Sequence, residues 1–348
     1  MILILSHREL KPNGKGVETF QRCLKAEGST QILLAMASIE NDQEWGVDLL
    51  PADPVEEWEE SSECLNLFSQ LIKRMVGRET ESGAQKLQRN PETGAYTWIL
   101  FIPGYSSNLN DSLKKAKEME DTYNSNVILY SWPADPEGTE PARYFKARDA
   151  ARLSARRLKS LLIHLEQVFT KPAREALAED FRISMLLHSL GNKVLESLIL
   201  NEEAAAQSTM FNTIIMHQPD VDAAGVMQWI NKVSPQEELY ITVNQHDGVL
   251  IISDIVNRIR LGLFPGDLIA HSLPKLSVID FTHAHNVARA HWLFTDFENN
   301  IVRLICKRMI HGNASDQRIN LGLESQLIYF ADKFSYSFPE PELMRLRT

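Results

Sequence analysis

Short continuous runs of apolar residues alternate along this chain with longer amphipathic stretches. The run Thr97–Ile102 ends at Pro103-Gly104, and an apolar run of this length bounded by turn residues predicts a strand buried on both faces. Similar runs predict strands at Ile2–Leu5, Gln31–Ala37, Asn126–Tyr130, Arg182–Leu187, Asn212–Met216, Leu239–Val243 and Leu276–Phe281.

Between these runs the apolar residues recur every three or four positions, the spacing of a helix with one buried face. The longest such stretch is Ala142–Thr170. Another is Asp111–Asn124, for which Asn108, Asn110 or Asp111 is the candidate N-cap. Further helices are predicted at Val17–Ala26, Val55–Val76, Asn192–Ala206, Ala223–Val233, Ile251–Leu263 and His291–Gly312.

Strands that alternate with helices predict the α/β class, with a mostly parallel central sheet flanked by helices on both faces. We expect a single domain over residues 1–311, with a variable helical or loop insertion at 41–95 and a C-terminal extension at 312–348. In such sheets the chemistry lies at the carboxyl ends of the strands. The residues that follow each strand are therefore the candidates for a functional site.

Composition narrows the class of protein further. The 348 residues include 36 Lys+Arg and 46 Asp+Glu, a net charge of −10, which argues against nucleic acid as a partner. No apolar run approaches the ~18 residues of a transmembrane segment. The 3 cysteines are too few and too scattered for a disulfide framework or a zinc cluster. These features predict a reduced, cytoplasmic globular protein, and they leave its oligomeric state undetermined.

The strand Arg182–Leu187 is followed by the turn His188–Asn192 and then by a predicted helix. This order is typical of the G-x-S-x-G nucleophile elbow, with Leu187 in place of the first glycine. A sharp turn exposes the serine hydroxyl, and the free N–H groups at the helix start favour developing negative charge. Ser189 is therefore a candidate nucleophile, although a serine in an ordinary strand–turn–helix has the same pattern.

An acid and a base follow later strands in the order that such a triad requires, serine first and histidine last. Asp247 comes shortly after the strand Leu239–Val243, and His283, His285 and His291 follow the last strand. We take Asp247 as the acid and His291 as the base, with His285 and His283 as alternatives for the base. A structural histidine is the alternative interpretation of His291, but its place after the last strand favours the base role.

Other polar residues at the strand ends are open to two interpretations. His283 and His285 could join Asp220 or Asp222 in a metal site, but no second ligand pair has recognisable spacing, so no metal is predicted. Asp220 could line the pocket or brace a loop, and Asp222 could cap the helix that follows it.

Two aromatic side chains and one apolar segment are also open to two interpretations. His188 and Trp132 could line a substrate pocket or pack beneath it. The segment Ile251–Leu273 could form a lid or the wall of an acyl pocket, or belong to the core.

Six short blocks occur in a fixed order within about residues 97–300. In that order the blocks resemble those of a bacterial family of α/β-hydrolases of unknown function, similar to esterases and lipases. The blocks of this chain, with the family's pattern in parentheses, are Pro103–Ser106 (H-G-Y-N), Ser131–Pro133 (S-W-P), Leu187–Asn192 (A-H-S-M-G-N), Gln218–Asp222 (A-P-D-x-D), Asn244–Asp247 (a strand ending N-D) and Ala290–Phe294 (G-H-S-Y-F).

The resemblance implies the α/β-hydrolase fold and a triad of Ser189, His291 and Asp247. It places the oxyanion hole at the backbone N–H groups of Leu190 and Tyr105. The implied activity is cleavage of a small-molecule carboxylic ester or thioester through an acyl-enzyme, which needs no cofactor.

Two positions depart from the family pattern. Pro103 replaces a histidine at the oxyanion loop, and Leu187 replaces an alanine or glycine at the elbow. The alternative function is therefore a catalytically impaired protein that retains the fold for binding or interaction.

Overall fold

The computed structural model describes residues 2–24, 33–39, 44–49, 94–170, 181–265, 268, 273, 275–295, 299–312, 328–329 and 335–337. Its strands in chain order are β1 Ile2–Ser6, β2 Arg8–Leu10, β3 Phe20–Leu24, β4 Leu33–Ile39, β5 Trp45–Leu49, β6 Tyr96–Ile102, β7 Asn126–Ser131, β8 Phe181–His188, β9 Thr213–His217, β10 Glu238–Val243, β11 Leu276–Asp280, β12 Ile328–Tyr329 and β13 Ser335–Ser337.

Eleven strands form one sheet in the order β12-β13-β11-β10-β9-β8-β6-β7-β1-β4-β5. Every neighbouring pair from β1 to β11 in this order is parallel. The strands β4 and β5 add to one edge in antiparallel orientation. At the other edge β13 is parallel to β11, and β12 is antiparallel to β13. The mostly parallel sheet predicted from the sequence is confirmed, and its central strands all end at the same edge.

Side chains alternate between the two faces of the sheet along each strand. Both faces are apolar here, and helices cover both. Trp98 and Leu100 of β6 belong to one apolar cluster, and Ile99 and Phe101 belong to the other. The helices are α1 Leu109–Tyr123, α2 Ala142–Thr170, α3 Gly191–Asn201, α4 Met227–Ile230, α5 Gly248–Val256 and α6 Asn300–His311. Apolar residues of α2, α3 and α4 pack in the first cluster, and those of α1 and α6 pack in the second. Among the described helices, none combines the length and the apolar composition needed to cross a bilayer.

The N-terminal region differs from the prediction. A helix was expected at Val17–Ala26, but the chain forms a 3₁₀ turn at Gly16–Glu18 and then the strand β3, which pairs antiparallel with β2. A stretch of ten residues is too short for apolar spacing to separate a helix from a strand. The pairing partner decides the outcome.

The described residues of the predicted insertion at 41–95 include the strand β5 of the main sheet. β5 pairs with β4 and forms the sheet's edge. The helix expected at Val55–Val76 lies outside the described residues. Within the predicted C-terminal extension, β12 and β13 join the opposite edge of the sheet.

Three predicted helices differ most from their observed bounds. The one expected at Ala223–Val233 shortens to α4 and lacks the Asp222 cap, since Asp222 pairs with Arg260. The helix expected at Ile251–Leu263 begins earlier and ends at Val256. The closing helix, α6, begins at Asn300, so His291 lies in an irregular segment before it.

Candidate active site

Ser189 directly follows β8 and lies two residues before α3, at the carboxyl edge of the sheet. Its φ of 52° falls in the left-handed region, which is unfavourable for a residue with a side chain and persists only where the surroundings enforce it. Its N–H donates to the His217 carbonyl at 3.0 Å, and its own carbonyl accepts from the Asp220 N–H at 3.1 Å. The strand-to-helix turn predicted from the sequence is therefore present.

Two glycines allow this turn to approach its neighbours. A Cβ at Gly191 would lie 2.6 Å from the Ile102 carbonyl oxygen, and one at Gly104 would lie 2.7 Å from the Ser189 Cβ. The small residue expected two positions after the serine is thus required by backbone contact. Leu187, two positions before it, is fully buried in the core, so the turn forms with leucine there.

The loop after β6 lies beside Ser189. It contains Pro103, which departs from the family pattern, and Tyr105, whose N–H is predicted for the oxyanion hole. The Pro103 carbonyl accepts a hydrogen bond from the Trp132 indole N–H at 2.8 Å, and the Ser106 N–H donates to the Ala134 carbonyl at 2.8 Å. Trp132 is fully buried and therefore supports this loop from beneath. The pocket role considered for it stays a prediction.

Neither of the two backbone N–H groups predicted for the oxyanion hole has an acceptor among the described hydrogen bonds. Leu190 immediately precedes α3, and Tyr105 lies in the turn after β6. N–H groups without a protein acceptor at the start of a helix are suited to bind an anion. Gly104, which contacts Ser189, links Tyr105 to the same edge.

Asp247 connects the proposed base to a helix. Its Oδ2 accepts from the His291 Nδ1–H at 2.6 Å, while its Oδ1 accepts from the backbone N–H groups of Val249 and Leu250 at 2.9 and 3.0 Å. The carboxylate is fully buried and caps the N-terminus of α5. Because His291 donates through Nδ1, its Nε2 is left as the acceptor.

The segment before the base is bound to the loop that carries the acid. The Asn244 side chain donates to the carbonyls of Ala288 and Ala290, both at 3.1 Å. The Gly248 N–H donates to the Arg289 carbonyl at 3.1 Å. Asp247 and His291 therefore lie on two loops that brace each other.

Two further histidines lie on the other side of His291. The His188 Nε2 lies 3.0 Å from the His291 carbonyl oxygen, and the two rings are 4.6 Å apart. The His217 ring stacks on His188 at 5.5 Å. Burial, with a smaller contribution from the charge on His291, holds the pKa of both His188 and His217 well below the usual 6.5. His188 is itself buried, and the pocket-lining role considered for it stays a prediction.

His217 was missed by the sequence reasoning. It is the last residue of β9, at the carboxyl edge where the other candidates lie. The rule that functional residues gather at strand ends would have singled it out, but the predicted strand ended one residue earlier, at Met216.

His188 links Ser189 to His291, because it directly precedes the serine in the chain and contacts His291. In the described part of the chain, no hydrogen bond joins the Ser189 hydroxyl to His291. Serine–histidine hydrogen bonds are often long in enzymes without a bound substrate and shorten in the reactive complex.

Asp220 braces the structure from a buried position beside the nucleophile. Its carboxylate accepts from the Ser253 hydroxyl at 2.7 Å and from the Tyr144 hydroxyl at 2.9 Å, and Arg260 lies 3.6 Å away. Burial, together with the Asp220 charge, raises the pKa of Tyr144 to about 12, so the phenol remains a donor. The loop-bracing interpretation fits these contacts, and the pocket role considered for Asp220 stays a prediction.

The alternative bases lie elsewhere. His283 is exposed and packs edge-on against His246 at 6.2 Å, and His285 is also exposed. Among the described residues, no group of 3 or more His, Cys, Asp or Glu side chains is placed to hold a metal ion. The partner of Asp247 is His291.

A cleft of about 530 Å³ lies beside the ends of β1 and β7. Its lining includes Arg8, Glu18, Asn108 and Asp135, and it does not include Ser189, Asp247 or His291. The buried Arg8–Asp135 ion pair, at 2.7 Å, lies within this wall.

Solved structures that match this chain include three of esterases. A hyperthermophilic esterase from the archaeon Pyrobaculum calidifontis is 11% identical, with a TM-score of 0.35 over 75% of this chain and 99% of its own. A second structure of a Pyrobaculum calidifontis esterase, in a monoclinic form, is 10% identical, with a TM-score of 0.34 over 75% and 95%. One of two fungal esterases from Rhizomucor miehei is 8% identical, with a TM-score of 0.34 over 75% and 92%. These values carry no information on the substrate of this chain.

A search of curated proteins finds no match to this sequence. The model of one protein family, described as an alpha/beta hydrolase of unknown function (DUF900), matches residues 80–308, which is more than half of the chain. The parallel sheet flanked by helices is the fold that this description names. The chain therefore belongs to the DUF900 family of alpha/beta hydrolases.

Proposed function

We propose that this protein is a serine hydrolase that cleaves a small-molecule carboxylic ester or thioester. The observation that carries the proposal is the 2.6 Å hydrogen bond between His291 and the buried Asp247. Asp247 lies at the same edge of the sheet as Ser189, which has the strained backbone of a nucleophile elbow. A buried carboxylate on Nδ1 holds the imidazole in the tautomer that accepts a proton at Nε2.

The first half of the proposed reaction forms an acyl-enzyme. The Ser189 Oγ attacks the carbonyl carbon, and its proton passes to the His291 Nε2. The backbone N–H groups of Leu190 and Tyr105 donate to the resulting oxyanion. When the intermediate collapses, the bond to the leaving oxygen or sulfur breaks, and His291 returns the proton to that atom.

The second half releases the acyl group. A water molecule gives a proton to His291 and attacks the acyl carbonyl, and the same two N–H groups bind the second oxyanion. Collapse frees the carboxylic acid and returns the proton to Ser189. Asp247 stays ionised throughout and stabilises the imidazolium form of His291. The cycle uses water alone as the second substrate, so it requires no cofactor.

The experiment combines a reactive probe with a substrate panel. We expect a fluorophosphonate to modify Ser189 in the wild-type protein and leave Ser189→Ala unmodified, as read by mass spectrometry of the labelled peptide. We expect p-nitrophenyl esters of rising chain length to be hydrolysed, and Ser189→Ala to lower kcat/KM by on the order of 10⁴-fold or more.

Two histidine variants provide the matched control. His291→Asn is expected to abolish labelling and hydrolysis, while His285→Asn on the same loop is expected to leave both unchanged. Folded wild-type protein that neither reacts with the probe nor hydrolyses any ester would overturn the proposal and favour a binding role. Loss of activity in His285→Asn with retention in His291→Asn would reassign the base.

A further inference from the structure

The base lies in a segment without regular secondary structure, so its backbone groups must find hydrogen-bond partners elsewhere. Residues 288–290 are bonded to the loop that carries the acid, through the side chain of Asn244 and the N–H of Gly248. Residues 291–293 are bonded differently. Their partners are two buried histidine side chains.

His188 and His217 bind the two ends of this three-residue stretch. The His188 Nε2 lies 3.0 Å from the His291 carbonyl oxygen, and the Leu293 N–H donates to the His217 Nε2 at 3.1 Å. The base is therefore held by its own carbonyl and by the N–H two residues later. These contacts come from the ends of β8 and β9, the strands that frame the nucleophile.

The two contacts require opposite tautomers. A carbonyl only accepts, so the His188 Nε2 carries the proton. An N–H only donates, so the His217 Nε2 carries a lone pair, and its Nδ1–H is directed at the Thr242 hydroxyl oxygen 2.8 Å away. Burial favours the neutral form of both rings, and only a neutral His217 can accept from Leu293.

We propose that His188 and His217 are positioning residues that hold the catalytic base in register with Asp247 and Ser189. The inference rests on the proposed function, because it assigns a task relative to His291 as the base. His188 has the larger effect, since it is also in ring contact with His291 at 4.6 Å. A neutral ring at this distance packs against the base without repelling its imidazolium form.

Two amide variants of His188 make the test. Gln extends its amide nitrogen to the position of the imidazole Nε2 and keeps the donor to the His291 carbonyl. Asn has the same amide one methylene shorter and cannot reach that oxygen. We expect His188→Asn to lower kcat by ~10- to 100-fold with little change in KM, the cost of a small misplacement of a catalytic group. We expect His188→Gln to recover most of that loss.

The equivalent pair at the other end is His217→Gln and His217→Leu. Gln offers an amide oxygen at the position of the His217 Nε2 and keeps an acceptor for the Leu293 N–H, whereas Leu offers none. We expect the same order of kcat values, with Gln above Leu.

A spectroscopic readout separates this inference from the proposed function. In protein labelled with ¹⁵N-histidine, the His291 Nδ1–H bonded to Asp247 is expected to give a strongly downfield proton resonance, identified by its loss in His291→Asn. We expect this resonance to persist in His188→Gln, and to broaden or shift in His188→Asn, whether or not the protein turns over an ester.

The outcomes are distinct. In one outcome the wild-type protein is inactive, but the His291 Nδ1–H resonance changes in His188→Asn and not in His188→Gln. This outcome would overturn the proposed function and keep the positioning role. Equal kcat values and unchanged resonances for His188→Asn and His188→Gln would overturn the positioning role and keep the function. Equal losses in Asn and Gln, with lowered thermal stability in both, would show a packing role and would also overturn it.

Discussion

At the scale of single residues, one carboxylate carries two tasks. Asp247 uses one oxygen to bind His291 and the other to cap α5. The two contacts have separate consequences, because the cap stabilises a helix and the other contact sets the tautomer of the base.

Two variants of Asp247 separate these tasks. Asn keeps an oxygen for the cap but presents an N–H₂ group to His291, so Asp247→Asn is expected to lower kcat by about 10⁴-fold with little loss of stability. Asp247→Ala removes both contacts and is expected to be less stable than Asp247→Asn by about 1 kcal/mol, the value of an N-cap. Ester hydrolysis and urea unfolding measure the two effects. Equal unfolding free energies for the two variants would contradict the capping role.

At the scale of secondary-structure elements, the elbow depends on close contact between β6 and the start of α3. Gly191 lies against the carbonyls of Ile102 and Pro103, where a Cβ would approach them to 2.6 and 2.8 Å. Backbone atoms in the middle of a sheet cannot move aside as a flexible side chain can.

The contact predicts that Gly191→Ala displaces the elbow. We expect a loss of about 1–3 kcal/mol in unfolding free energy and little or no labelling of Ser189. Gly248→Ala is the control, because its Cβ would meet the flexible side chain of Arg289, whose nearest atom, Nε, lies 3.3 Å away. Chemical denaturation and probe labelling test both variants. An elbow that labels normally with alanine at position 191 would refute the contact.

The helix α5 has an unusual distribution of apolar side chains. Leu250 is fully buried, whereas Ile255 is 78% exposed. The segment considered as a lid or pocket wall thus has much of its apolar surface in solvent. The other exposed apolar side chains in and after α5 are Val249, Ile251, Ile252, Val256, Ile259 and Phe264.

This difference predicts unequal costs for the same truncation. Leu250→Ala is expected to lower the unfolding free energy by about 2–5 kcal/mol, because it leaves a cavity in the core. Ile255→Ala is expected to change it by less than about 0.5 kcal/mol, because its side chain loses little contact. Thermal or urea unfolding compares them. A large loss for Ile255→Ala would mean that another part of the protein covers this side chain.

At the scale of the whole molecule, the sheet separates two apolar clusters, and the carboxyl group of Glu120 is buried on the α1 side. Burial raises the pKa of Glu120 from 4.5 to about 7, and the charge of Lys117 offsets this only in part. Between pH 4.5 and about pH 7, Glu120 keeps its proton in the folded protein and loses it in the unfolded chain. The contribution of Glu120 to stability is therefore lost as the pH rises through this range.

Replacing Glu120 removes this dependence on pH. Relative to the wild type, Glu120→Gln is expected to gain about 3 kcal/mol in unfolding free energy between pH 4.5 and pH 7. The measurement is urea unfolding of both proteins at a series of pH values. A difference that stays constant over this range would show that Glu120 is ionised in the folded state.

Much of the fold was predictable because its signals are local. The apolar runs located the strands from β6 to β11 to within a few residues, and α2 was predicted with its observed bounds, Ala142–Thr170. The order of Ser189, Asp247 and His291 followed from the rule for strand ends. Their role as a triad stays a prediction.

Other features depended on partners that are distant in the chain. β3 is a strand because β2 pairs with it, and β5 belongs to the sheet because β4 lies beside it. The contacts that hold His291 come from residues 44 to 103 positions away in the chain. Periodicity within a short window carries no information about such partners.

Local composition thus determined which segments become buried strands and amphipathic helices, because burial of apolar side chains follows directly from their spacing. Tertiary structure alone decided which of three histidines meets Asp247, and that His188 and His217 hold it there. Hydrogen bonds act over about 3 Å, and only the folded chain brings these groups to that distance.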